Sequence, residues 1–179
     1  MIQPRELLEK YCADNEPLFT ILLTHSRQVA RRALAVADAH PELPVDRTFL
    51  SEAALLHDIG IVRTDAPGIA CCGTEPYIRH GMLGAEILRA EGLPRHARVC
   101  ERHTGTGLTA ETILRQQLPL PPGDYTPQTL EEQIICYADK FYSKSNLQRE
   151  KTPEQVCKSL AKFGDESVER FLAWHHRFG

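Results

Sequence analysis

Leu55-Leu56-His57-Asp58-Ile59-Gly60 sets an imidazole and a carboxylate side by side at the end of an otherwise apolar segment. Just upstream, Phe49, Leu50, Ala53, Ala54, Leu56 and His57 recur at helical spacing and form one inward stripe. Asp46 is suited to cap the start of that helix and Gly60 to stop it. His57 and Asp58 therefore fall on a helix's last turn. Consecutive helical residues point about 100° apart, so the two reach one centre only at a helix end or beside the groove between them. By itself the dipeptide fits equally a hydrogen-bonded core histidine beside a turn aspartate, or half of a metal pair bridged by the aspartate.

Working outward, helix follows helix, with little of the strict alternation that marks strands. Pro4 to about Ala13 reads as one helix. A second begins near Pro17 and carries Leu18, Leu22, His25, Val29 and Val36 on one face until Pro41 and Pro44 end it. Val62 to Pro76 reads as a loop long enough to be a functional flap. Tyr77 to Glu91 and Pro94 to His103 are helical, Thr104 to Gly107 is a turn, and Leu114 to Leu120 is a short helical piece. Leu118 to Thr126 is a second surface loop, and the two loops are where substrate selectivity is expected. Thr129 and Glu132 fit a capping box for a helix running to Asp139. Thr152 and Asp165 are expected as N-caps of the last two helices, where Phe171 and Trp174 seal the core. The class is all-α, a single compact domain over residues 1–179, with helices in 150–179 packing on the rest.

The formal charge of -3 gives no basic excess, so a stable nucleic-acid partner is not expected. No apolar run approaches the ~20 residues of a membrane span, and the start lacks a leader pattern, which reads as cytoplasmic. The six cysteines include no Cys-x-x-Cys and are expected to stay reduced.

Eight histidines remain to be sorted. His25, His80, His103 and Asp139 lie on or at the ends of expected helices beside inward apolar residues, as His57 and Asp58 do. Four imidazoles and two carboxylates suit two divalent transition-metal ions, iron or manganese first, with zinc, cobalt or nickel as alternatives; magnesium would want mainly oxygen. His40, His96, His175 and His176 read as surface residues. A Cys-x-x-His spacing, Cys100 to His103, together with Cys71-Cys72 offers a structural zinc site as a lesser alternative.

With these residues in hand, the sequence resembles the HD-domain superfamily of metal-dependent phosphohydrolases. Its pattern of His, then His-Asp, then a late Asp is met by His25, His57-Asp58 and Asp139, and Ile59-Gly60 makes the tetrapeptide the HDIG variant. His80-Gly81-Met82-Leu83-Gly84-Ala85-Glu86-Ile87-Leu88 is similar to the segment that carries an extra metal histidine in binuclear members. Arg102-His103-Thr104-Gly105 and Tyr137-Ala138-Asp139-Lys140 resemble blocks of the branch that includes symmetrical diadenosine tetraphosphate hydrolases. Thr104-Gly105-Thr106-Gly107 replaces the Gly-Tyr-Pro signature of cyclic-di-GMP phosphodiesterases, so that substrate is not expected.

The resemblance implies a helical fold with the metal site in the core of its bundle. It implies Asp58 as the bridge, His25, His57 and Asp139 on one ion, and His80 and His103 on the other. A metal-activated water would attack a phosphoester or phosphoanhydride of a small nucleotide-like substrate. No glutamate follows His-Asp to serve as a base. Arg27, Arg79, Arg102, Lys140 and Lys144 are cations close in sequence to ligands; of these, Lys140 and Arg102 are the expected catalytic ones. Two other readings stay open, a diiron oxygenase on the same ligand set and a nucleotide-binding module without turnover. A homodimer is also left open.

Overall fold

The computed structural model describes residues 2–179. Its helices start where short polar side chains can accept the first free amides. Asn15 accepts from Leu18 to open α2 (Glu16–Ala39), and Asp46 from Phe49 to open α3 (Arg47–Leu56). Full capping boxes at Thr129 and Thr152 open α7 (Leu130–Asp139) and α8 (Pro153–Leu160). Proline stands at the first helical position of α1 (Pro4–Cys12), α5 (Pro94–Arg102) and α8, where no amide is lost. α4 (His80–Ala90), α6 (Ala110–Arg115) and α9 (Asp165–Phe178) complete the set. Among the described residues the fold is all-α apart from one antiparallel two-stranded ribbon, β1 (Asp65–Ala66) against β2 (Cys71–Cys72).

The buried apolar side chains form two clusters. One gathers the second half of α2, α3 and α7 with α8 and α9, around Leu50, Ile135, Tyr137 and Phe171. The other gathers α1, the start of α2, α4 and the 3₁₀ turn Ile59–Arg63, around Leu8, Leu22, Ile59 and Leu88. Along α2, Leu22 belongs to the second cluster and Val29 to the first, and His25 stands between them. His57 likewise follows Ala54 of the first cluster and precedes Ile59 of the second. The polar residues lie along the seam.

Gly60 makes that seam possible. A Cβ there would overlap the His80 carbonyl and the Gly84 backbone, so only glycine lets the 3₁₀ turn lie directly on α4.

Several local expectations are corrected. The short helix is Ala110–Arg115 rather than Leu114–Leu120, because Thr109 caps it by accepting from Thr112, and Gln117 adopts a left-handed φ of 50° just past its end. Gly164, not Asp165, is the N-cap of α9, with Asp165 already helical. The 62–76 loop is built from the 3₁₀ turns and the β1–β2 ribbon. His96 is buried, edge-on to Phe49 with ring centroids 4.9 Å apart. The Tyr137 hydroxyl lies 2.9 Å from His175 Nδ1, and half-buried His40 has its Nδ1 3.3 Å from Glu42 Oε1, so of the four only His176 is exposed. Phe171 and Trp174 do seal the core.

Candidate metal centre

Three histidines are oriented by the same local device. His57, His80 and His103 each point Nδ1 at the backbone carbonyl three residues earlier, Ala54, Tyr77 and Cys100, at 2.7 Å. A carbonyl only accepts, so each Nδ1 carries the proton and Nε2 is left to face inward. Tyr77 also stacks on the His80 ring, fixing its plane.

Those inward nitrogens converge with the two aspartates. His25 Nε2 lies 3.0 Å from both Asp58 Oδ2 and Asp139 Oδ1, and His57 Nε2 lies 3.0 and 3.3 Å from the same two oxygens. The other Asp58 oxygen faces a second group: His103 Nε2 at 3.3 Å and His80 Nε2 at 3.6 Å from Oδ1. Two sets of donors result, His25, His57, Asp58 and Asp139 on one side and Asp58, His80 and His103 on the other, each compact enough for one ion. Asp58 is shared because it stands at the break between α3 and the 3₁₀ turn, where its side chain is free of both helical rows.

The donor chemistry fits divalent cations. His80 Nε2 and His103 Nε2 are 3.0 Å apart. Burial holds both imidazoles below their ordinary pKa, His80 down to about 3 with the His103 charge adding to the effect. Neutral rings protonated at Nδ1 present two bare lone pairs to each other, an arrangement that a shared cation satisfies. Both carboxylate oxygens of Asp58 are fully buried without a hydrogen-bond donor of ordinary geometry. Burial opposes the Asp58 charge, yet Lys144 and His57 outweigh it and hold the carboxyl well below its usual range. Burial also opposes the charge on His57, but Asp58 and Asp139 raise it to about 9. For Asp139 the burial penalty is overcome by Lys140 and the two imidazoles, which keep it ionised.

A cavity of about 510 Å³ opens onto His80, His103 and Asp139. Lys140 lines it, with Nζ 2.6 Å from Asp139 Oδ2 and donating to the His103 carbonyl at 2.8 Å. Lys144, set aside in the sequence, reaches Asp58 Oδ2 at 2.5 Å. Arg102 does not line the cavity: its guanidinium donates to the Thr126 carbonyl at 2.7 Å and serves the loop instead. Arg27 is exposed, and Arg79 pairs with Glu75.

The first expected loop does contribute walls, through Ala66, Gly68 and Ile69, whereas residues 118–126 contribute none. Their place is taken by residues 142–145, Lys151, Lys162 and Phe163, which carry no motif in the sequence. The one available signal is the recurrence of lysine at 140, 144, 151 and 162 after the last ligand. The alternative cysteine site is not assembled: Cys100 Sγ bonds the Leu56 carbonyl, Cys72 is exposed, and no cysteine joins either donor set among the described residues.

Fold and donor set define one class, and the chain belongs to it: the family model described as HD domain matches residues 22–143. Among curated proteins, a tRNA (cytidine(56)-2'-O)-methyltransferase of Picrophilus torridus is 35% identical over 150 residues, covering 78% of this chain and 39% of that protein. The protein of the same name from Thermoplasma volcanium is 34% identical over 174 residues, covering 97% and 44%. An uncharacterized protein of Methanocaldococcus jannaschii is 38% identical over 138 residues, covering 75% and 70%. This chain thus spans less than half the length of the two methyltransferases it matches. Among solved structures, the HD domain of the L. monocytogenes phosphodiesterase PgpH shares the fold, with a TM-score of 0.56, 19% identity and 92% of each chain covered. No helix among the described residues is long and apolar enough to cross a membrane.

Proposed function

We propose that this chain is a metal-dependent phosphohydrolase that cleaves a phosphoester or phosphoanhydride of a small nucleotide-like substrate at a two-ion centre. The observation that carries the reading is the opposed pair of unprotonated Nε2 atoms on His80 and His103, sharing Asp58 with the His25, His57 and Asp139 set. Iron or manganese suits this mixture of imidazole and carboxylate best. When bound, such ions supply Lewis acidity that activates water and withdraws charge from phosphoryl oxygens.

The chain's own residues do the rest. Asp58 offers one oxygen to each donor set and so fixes their spacing. The carbonyls of Ala54, Tyr77 and Cys100 hold three imidazoles with Nε2 directed at the two donor sets. Lys140 is held by the His103 carbonyl next to Asp139, and Lys144 reaches in from the cavity wall, so both ammonium groups stand where negative charge develops on a substrate phosphoryl group. Ile59, Gly60 and Ile61 are buried and bring no carboxylate base after the His-Asp pair.

The test is metal analysis of protein purified without chelator, followed by a hydrolysis panel with manganese, iron(II) or cobalt. Two ions per chain are expected, falling to about one in His80→Ala and in His103→Ala. The panel includes nucleotides and, because of the name the Picrophilus torridus and Thermoplasma volcanium relatives carry, RNA ends bearing phosphate. No release of phosphate or nucleotide from any of them by metal-loaded protein would overturn the reading. Oxygen uptake by the iron form without such release would select the oxygenase instead.

A further inference from the structure

Beyond the metal centre, the cavity holds more positive charge than its carboxylates can use. Lys140 and Lys144 are committed to Asp139 and Asp58. Lys151 and Lys162 also line the cavity, yet neither has a carboxylate within ion-pair distance among the described residues. Glu150, the neighbour of Lys151 in sequence, is turned away: it pairs with Arg32 at 2.5 Å and accepts from the Tyr142 hydroxyl at 3.3 Å.

Both lysines are set on fixed backbone. The Lys151 amide donates to the carbonyl of buried Phe141 at 2.8 Å, and the Lys162 carbonyl accepts from Gln116 Nε2 at 3.0 Å. A smaller hollow of about 150 Å³ adjoins the main cavity here, bounded by the same two lysines, Phe163, Val156, Ser159 and Leu160. Gly105, with φ of 60°, lies against the Phe163 ring, so the wall beside His103 closes onto the lysine side. Partial burial and the crowd of neighbouring ammonium groups lower the Lys151 pKa despite the help of Asp139. Two lysines on fixed backbone, Lys151 half-buried and Lys162 exposed, beside a partly enclosed hollow form a site for an anion that the protein itself does not supply.

We propose that Lys151 and Lys162 form a second anion subsite, so that the substrate carries at least two phosphoryl groups, one at the metal centre and one between these lysines. The subsite stands on its own geometry; the word substrate rests on the hydrolase reading. Lys151 and Lys162 then act as specificity-determining residues, drawing the distal phosphate and setting which bond lies over the centre.

The experiment has a binding arm and a kinetic arm. In the first, tripolyphosphate and orthophosphate are titrated calorimetrically into metal-free protein, where Asp58 and Asp139 occupy Lys144 and Lys140. Tripolyphosphate is expected to bind at least about tenfold more tightly than orthophosphate. Lys151→Ala with Lys162→Ala should remove most of that preference, while Lys158→Ala, on the exposed side of α8, should keep it. Circular dichroism and the melting temperature confirm that each variant is folded. In the second arm, manganese-loaded double variant should show KM raised about tenfold or more for a nucleoside triphosphate relative to nitrophenyl phosphate.

Equal binding of the two anions, or equal loss in Lys158→Ala, would overturn the subsite. Binding as expected with no hydrolysis of any compound keeps the subsite and removes the hydrolase. Hydrolysis with no effect of the double variant on either arm removes the subsite alone.

Discussion

His96 and the four donor-set histidines are all buried, yet only His25 and His57 meet two carboxylates, while His80 and His103 face each other beside one oxygen of Asp58. His96 has Glu52 at 3.5 Å and an aromatic edge beside it. Burial lowers its pKa below the ordinary value in spite of Glu52. The folded chain therefore favours neutral His96, and the unfolded chain takes up the proton first as pH falls. Its contribution to stability is present above the unfolded pKa of about 6.5 and declines below it. In metal-free protein, His96→Leu is expected to flatten the loss of stability from about pH 7 to about pH 5, measured by urea unfolding. Part of the slope will remain, since His80 and His103 are lowered by burial as well. An unchanged slope would show that His96 takes no part. All six members of the two donor sets were singled out in the sequence, as histidines and aspartates beside inward apolar residues that also match the HD-domain pattern. His96 was misread because a Pro-Arg-His sequence looks exposed, and its burial comes from α5 crossing Phe49 of α3. Lys144, Lys151 and Lys162 were illegible as a group, since lysine recurs on any solvated surface and only the return of the chain past the cavity gathers them.

Among elements, the 3₁₀ turn Ile59–Arg63 lies in direct backbone contact with α4. Gly60→Ala would drive a methyl group into the His80 carbonyl and the Gly84 backbone, and neither can move without shifting α4. A loss of about 3 kcal/mol is expected in denaturant unfolding, the upper part of the usual range for overpacking. Gly68→Ala is the control: nothing lies within 4 Å of its added Cβ, so stability should stay within about 0.5 kcal/mol. Because the His80 carbonyl belongs to a member of the second donor set, Gly60→Ala should also lower metal content. Helix starts were read well at Asp46, Thr129 and Thr152, where a capping side chain precedes an apolar stripe. The shift of the short helix to Ala110–Arg115 was not, because Thr109 caps it without an apolar stripe to announce it.

At the scale of the whole molecule, the donors come from α2, the α3 end, α4, the α5 end and α7, along the seam between the two apolar clusters. Ions held there as proposed would tie the clusters together, so metal binding is expected to couple to global stability. Manganese at about 100 times its dissociation constant should add about 2.7 kcal/mol of stability per site, seen as a rise in melting temperature. Asp58→Asn should abolish most of that rise, because both donor sets share this residue. A rise of equal size in the variant would mean that the ions bind elsewhere.

The sequence by itself determined the helical class, the helix starts at Asp46, Thr129 and Thr152, the six candidate donors and the break at His57-Asp58-Ile59-Gly60. Each of these follows from chain-local physics: periodicity, amide capping, and the cost of burying an unpartnered carboxylate. Only the tertiary structure decided that Asp58 splits its oxygens between two histidine sets, that Arg102 serves a loop while Lys144 serves the centre, and that Lys151 and Lys162 stand together. Those are distances between residues far apart in the chain, set by how the two cores pack across a glycine.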